Sequence, residues 1–174
     1  ALVLAVAMFV LFIPFGLVSV ALAGIFLALG CAYDLGIKST PASGLMHGLA
    51  FPTIPLLAWN IFAHLTPALF TVIPLGLALG IGIHLADALP DAEADAAAGV
   101  HGLTQALGAR APAVCWGAFG AAIIIAGGLA LAHPHGGHLA LALVGAALAV
   151  ALLLGAIRVF PAAFGTADRN VHPT

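Results

Sequence analysis

Five apolar runs, residues 17–32, 45–63, 67–86, 111–132 and 139–159, follow one another through this chain of 174 residues. A bilayer's hydrocarbon core is about 30 Å thick and a helix rises about 1.5 Å per residue, so roughly 20 apolar residues make one crossing. Each run is about that long. A water-soluble domain would need charge to cover its outside, yet 6% of the residues are charged and 64% are hydrophobic. The chain is therefore expected to be all-α, a transmembrane helical bundle of about five full spans. A further apolar stretch, residues 1–13, would cover only about 20 Å. Pro14-Phe15-Gly16 ends it, because proline lacks the N–H and glycine loosens the backbone. It reads as the tail of another helix. Ala1 opens directly into it with no basic stretch ahead, so a truncated start is expected rather than a signal peptide. Residues 1–174 are expected to form a single transmembrane domain, a fragment of a larger bundle.

Threading the spans back and forth places the connections 33–44, 87–110 and 158–174 on one side of the membrane. Every charged residue lies there: Lys38, Arg110, Arg158, Arg169, Asp34, Asp87, Asp91, Glu93, Asp95 and Asp168. The opposite connections, around Pro14, around His64 and at 133–138, carry none. Lys and Arg favour the cytoplasmic side, so the charged face is expected to be cytoplasmic and the membrane the cell membrane. The net charge of −2 provides no basic field for nucleic acid. Cys31 and Cys115 have no paired spacing and read as packing residues. Gly76, Gly80, Gly117, Gly120, Gly127 and Gly128 would permit close helix contact in lipid.

The densest polar stretch is Asp87-Ala-Leu-Pro-Asp91-Ala-Glu93-Ala-Asp95, directly after the third run. Its aspartates recur every four residues, and on a helix that spacing would stack them along one face, where their repulsion asks for a cation. Hard oxygen ligands suit Mg²⁺, which keeps several waters and commonly bridges one or two carboxylates to substrate phosphates. The plainer reading is a solvated acidic helix cap, and Glu93 lies off the face and reads as solvated. Pro90 is unusual inside a helix, though tolerated where a helix begins.

Tyr33-Asp34-Leu35-Gly36-Ile37-Lys38-Ser39-Thr40-Pro41 supplies a phenol and a cation on the same side. Lysine binds phosphate as a point charge, although Tyr and Lys also serve as interfacial anchors at span ends. His133, His135 and His138 fall on the opposite side and read as a polar turn. His84 is nearer the acidic stretch, but an ordinary hydrogen bond explains it. Asn60, His47 and His64 read as packing or interface residues.

The order of these parts resembles the UbiA superfamily of intramembrane prenyltransferases. A Tyr-Asp-Leu-Gly-Ile-Lys-Ser-Thr loop is followed by two spans, then by Asp-x-x-x-Asp-x-x-x-Asp with Ala-Gly and a short helix closing at Leu107-Gly108. The aspartate stretch is similar to the second aspartate-rich motif of that family. The resemblance implies a bundle of about nine helices, with two aspartate-rich motifs facing each other across Mg²⁺ and a prenyl diphosphate. It implies Asp91 and Asp95 as the catalytic, magnesium-linked diphosphate binders, Asp87 as a further metal and substrate contact, and Tyr33 and Lys38 as contacts to the diphosphate. It implies transfer of the prenyl group to an aromatic or lipid acceptor, through ionisation of an allylic diphosphate. Residues 1–32 hold no counterpart of the first motif, Ala96 stands where an arginine often follows the last aspartate, and His101 stands where a basic residue is common. Independent activity of these 174 residues alone is therefore not expected.

Three rivals accompany that reading. A cation transporter or channel would line an ion path with Asp87, Asp91 and Asp95, but the expected spans contain no acid to carry a relay across the bilayer. A non-catalytic scaffold would tolerate alanine at all three. A phosphatidyl-group transferase would carry Asp-Gly and Ala-Arg elements that are not seen around these aspartates.

Overall fold

The computed structural model describes residues 2–132, and the regular structure in them is helical. Helix α1 (Leu2–Phe12) leads into a 3-10 turn at Ile13–Phe15. Gly16, at a φ of 87° that favours glycine, then redirects the chain. Helix α2 (Leu17–Asp34) and helix α3 (Ser43–Phe62) follow. A 3-10 turn at Pro67–Thr71 precedes α4 (Val72–Ala88). Two short helices, α5 (Ala92–Ala97) and α6 (Leu103–Leu107), lead to α7 (Ala111–Ala132). The chain divides into two compact units, Ala1–Ile125 and Ala126–Thr174, and the helix contacts and polar groups of interest belong to the first.

The expected spans are helices where the structure describes them, and α7 matches its apolar run residue for residue. Leu17–Asp34, Ser43–Phe62, Pro67–Ala88 and Leu103–Ala132 are long and apolar enough to cross a membrane. The protein is an integral membrane protein. The expected fifth span, the histidine turn at 133–138, Arg158, Asp168 and Arg169 lie outside the described residues.

Large apolar side chains face outward, with Leu17 83% and Phe62 89% exposed, as suits a surface solvated by lipid tails. Lipid removes the hydrophobic force between helices, so they associate through close packing of small residues. The most extensive pairing joins α3 to α4, followed by α2 to α3. On α3, Gly44, Gly48 and Pro52 follow at one-turn intervals and are buried; on α4, Gly76 and Gly80 answer them. A Cβ at Gly80 would stand 2.5 Å from the His47 carbonyl oxygen, and one at Gly76 would stand 2.7 Å from the Pro52 ring. Backbone meets backbone here, and neither side can yield.

Pro52 and Pro55 inside α3 remove helix hydrogen bonds. Nearby, the Thr53 hydroxyl donates to the Ala50 carbonyl at 2.6 Å, a local side-chain bond of the kind that helps membrane helices tolerate proline. The glycines of α7 behave differently from those of α4. Around Gly117 and Gly120 no described atom beyond the helix's own backbone lies within 4 Å of an added Cβ, so the helix contact expected for them is not made among the described residues.

These spaces differ in a measurable way. Gly80→Leu should force α3 from α4 and destabilise the protein by about 2 kcal/mol, within the usual range for overpacking. Gly117→Ala should be neutral or stabilising by up to about 1 kcal/mol, through helix propensity. Unfolding in detergent, followed by circular dichroism, compares the two.

Candidate functional site

Helix α2 ends as the Leu35 N–H bonds the Cys31 carbonyl at 2.9 Å. Gly36, at a φ of 143°, turns the chain into a 3-10 turn at Ile37–Ser39. The Thr40 hydroxyl donates to the Ile37 carbonyl at 2.8 Å and accepts the Ala42 N–H at 3.3 Å, which fixes the entry to α3. Tyr33 is left half-buried on the last turn of α2, with Asp34 and Lys38 exposed.

The acidic stretch departs from a single continuous helix. Asp87 lies in the last turn of α4, which closes as the Leu89 N–H bonds the Leu85 carbonyl at 2.9 Å. Pro90 has no N–H to continue the ladder, and its ring would press on the carbonyl one turn back. The helix restarts at Ala92 with Asp91 as its N-cap, and the Asp95 N–H bonds the Asp91 carbonyl at 2.8 Å. Asp91 and Asp95 therefore share one helical turn, whereas Asp87 belongs to a different helix. Asp87, Asp91 and Glu93 are exposed and Asp95 is half-buried.

The two polar connections meet at Ser43, which is fully buried. Its Oγ lies 2.9 Å from His84 Nε2 and accepts the Leu103 N–H at 3.2 Å. Gln105 Nε2 donates to the Ala92 carbonyl at 3.2 Å, tying α6 to α5. A Cβ on Gly102 would stand 3.2 Å from the Lys38 carbonyl oxygen. The expectation that 33–44 and 87–110 share one side holds. At the other end, Asn60 Nδ2 donates to Ser19 Oγ at 2.8 Å, and residues 15–18 and 60–64 line a second cavity of about 370 Å³. Asn60 thus has the packing role expected of it.

Around Ser43 stands a cluster of rings. His47 stacks on His84 with centroids 4.6 Å apart, and Tyr33 meets His47 edge-on at 4.8 Å and His84 at 6.0 Å. Among the described residues, His47 Nδ1 and the Thr104 hydroxyl are enclosed without a hydrogen-bond partner. Leaving a buried polar atom unpaired costs about 1–3 kcal/mol, and such atoms ask for an explanation. Sequence reasoning read His47 as a packing or interface residue and did not single out Ser43. The available signal was the Ser43-x-x-x-His47 spacing, which puts both on one face of α3.

From this cluster a cavity of about 320 Å³ runs between α2 and α3. Tyr33, Asp34 and His47 line it together with apolar residues that include Phe26, Phe51 and Ile54. Cys115 is buried and bonds the Gly82 carbonyl at 3.5 Å, the packing role expected of it.

Among the described residues, no three His, Cys, Asp or Glu side chains gather to hold a metal ion by themselves. Exposed Asp91 and half-buried Asp95, one helical turn apart, suit Mg²⁺ all the same, because that ion keeps its waters and takes one or two protein carboxylates plus substrate phosphates.

Ser43→Ala would strand the Leu103 N–H and remove the partner of His84 Nε2. The expected loss is about 2 kcal/mol of stability, read by thermal unfolding in detergent, while Ser39→Ala on the exposed turn should cost less than about 0.5 kcal/mol.

Searches of curated proteins and of solved structures found no match. A family model does match, the UbiA prenyltransferase family, over residues 1–169. Nearly the whole chain is covered, including the Tyr33 loop, the aspartate stretch and the helices that hold them, and the chain belongs to the UbiA prenyltransferase family.

Proposed function

We propose that the site around Tyr33, Lys38, Asp87, Asp91 and Asp95 binds a prenyl diphosphate through Mg²⁺, for transfer of the prenyl group to an aromatic or lipid acceptor. The observation that carries this is the convergence of the two polar connections beside Tyr33. Ser43 Oγ accepts the Leu103 N–H, Gly102 packs on the Lys38 carbonyl, and Tyr33 lines the cavity between α2 and α3. An anionic head beside carboxylates needs a cation between them, while an allylic tail needs apolar walls. Both kinds of surroundings occur within one side chain of each other.

Asp91 and Asp95 would supply the carboxylates that hold the ion, with Asp87 as a further contact and Tyr33 and Lys38 contacting phosphate oxygens. Bound Mg²⁺ would supply positive charge to the departing diphosphate. The apolar cavity wall would keep water from the allylic cation, so no protein nucleophile is required. Lys38 and Arg110 lie on the acidic connections, which makes that side cytoplasmic by the positive-inside tendency.

The test is binding of geranyl diphosphate to the full-length protein in detergent, with and without magnesium. Asp91→Ala combined with Asp95→Ala should weaken magnesium-dependent binding by about 100-fold or more, as expected for losing two charge-assisted contacts. A folded double variant that binds as the wild type would exclude the site and favour an ion path or a scaffold. Lys38→Met removes one contact and should weaken binding about tenfold, with the magnesium requirement retained.

A further inference from the structure

The His47 imidazole is held on two sides. His84 lies against its face with centroids 4.6 Å apart, and Tyr33 meets it edge-on at 4.8 Å. His84 is itself fixed, because its Nε2 lies 2.9 Å from the buried Ser43 Oγ. Packed in this way, the His47 ring cannot turn over without displacing a neighbour, so its two nitrogens keep different surroundings. Nδ1 is enclosed with no partner among the described residues. Nε2 makes no hydrogen bond among them either, but it is not enclosed, and His47 lines the cavity together with Tyr33 and Asp34. A neutral imidazole carries one proton. On Nδ1 that proton would make a buried N–H with no acceptor, and orphans of that kind are rarer than unsatisfied acceptors. The proton therefore belongs on Nε2, the accessible nitrogen.

A ring so placed is a neutral donor with no acceptor among the described residues. We propose that the Nε2–H of His47 donates to an oxygen of the bound diphosphate, beside the contacts from Tyr33 and Lys38. The inference rests on the diphosphate site around Tyr33 and adds to it a residue that neither the charge pattern nor the aspartate spacing singles out. Its neutrality matters there. Asp34 lines the same cavity, and a cation in place of His47 would be drawn to that carboxylate before any substrate arrived. An uncharged N–H is left for the phosphate oxygens, and a hydrogen bond to a charged group is worth more than one between neutral groups. No proton changes hands, since the imidazole keeps its hydrogen while the diphosphate is held.

Geranyl diphosphate and inorganic diphosphate, one with an apolar tail and one without, serve as probes with the full-length protein in detergent and magnesium. No acceptor is present, so neither response can come from one. His47→Phe keeps a flat ring for the stack and should weaken both probes by the same factor of about tenfold, as for loss of one hydrogen bond to a charged group. His47→Gln restores an N–H donor and should stay within about threefold of the wild type. The assignment is overturned if His47→Phe binds both probes as the wild type does, if it weakens geranyl diphosphate alone, which would make His47 a wall for the tail, or if His47→Gln loses as much as His47→Phe. Isotope-labelled histidine in the wild type, followed by nitrogen NMR, gives a readout free of any loss of fold. The Nε2 signal of His47, identified by its absence from His47→Gln, should shift when geranyl diphosphate is added, and a signal that stays in place sinks the proposal. If the wild type binds neither probe, the diphosphate reading itself falls and takes this one with it. If the wild type binds them and Asp91→Ala with Asp95→Ala abolishes binding, while His47→Phe is silent, only the role of His47 is lost.

Discussion

Everything at the charged end depends on how closely α3 lies against α4. With glycine at 76 and 80 facing Pro52 and the backbone of His47 and Gly48, the two helices approach to a distance that no side chain could occupy. That approach is what sets His47 beside His84 and brings Ser43 within 2.9 Å of His84 Nε2. In lipid, where apolar side chains gain nothing by leaving the solvent, such backbone proximity is the main means of specifying which faces meet. The site is thus built from the least chemically distinctive residues in the chain.

Ser43 then acts as a junction. One hydroxyl oxygen receives the Leu103 N–H and lies against His84, so the start of α3, the end of α4 and the start of α6 share a single buried atom. The Tyr33 loop and the aspartate stretch are far apart in sequence, and this junction is how they come to be read as one surface.

What could be read from the sequence follows from what periodicity and charge encode. Apolar length located the helices, and α7 was placed to the residue because Arg110 and His133 bound its apolar run sharply. The confinement of charge to alternate connections gave the sidedness. What escaped was rotational. Within a run that is apolar all round, nothing in composition says which face His47 or His84 presents, nor that Gly76 and Gly80 meet a partner while Gly117 and Gly120 meet none among the described residues. The aspartate spacing suggested one stacked face, and the local chemistry of Pro90 interrupted it. A single proline outweighed a repeat.

That interruption changes how the acidic stretch bears its own charge. In an unbroken helix, three like charges one turn apart would be held in file and would weaken the helix that carries them. Because α5 begins afresh at Ala92, Asp87 is fixed to the bundle while Asp91 and Asp95 ride on a short segment moored through Gln105. The first carboxylate and the other two therefore do not share one helical pitch. Charges that would have stood in file on one helix are divided between two, and neither helix carries all three.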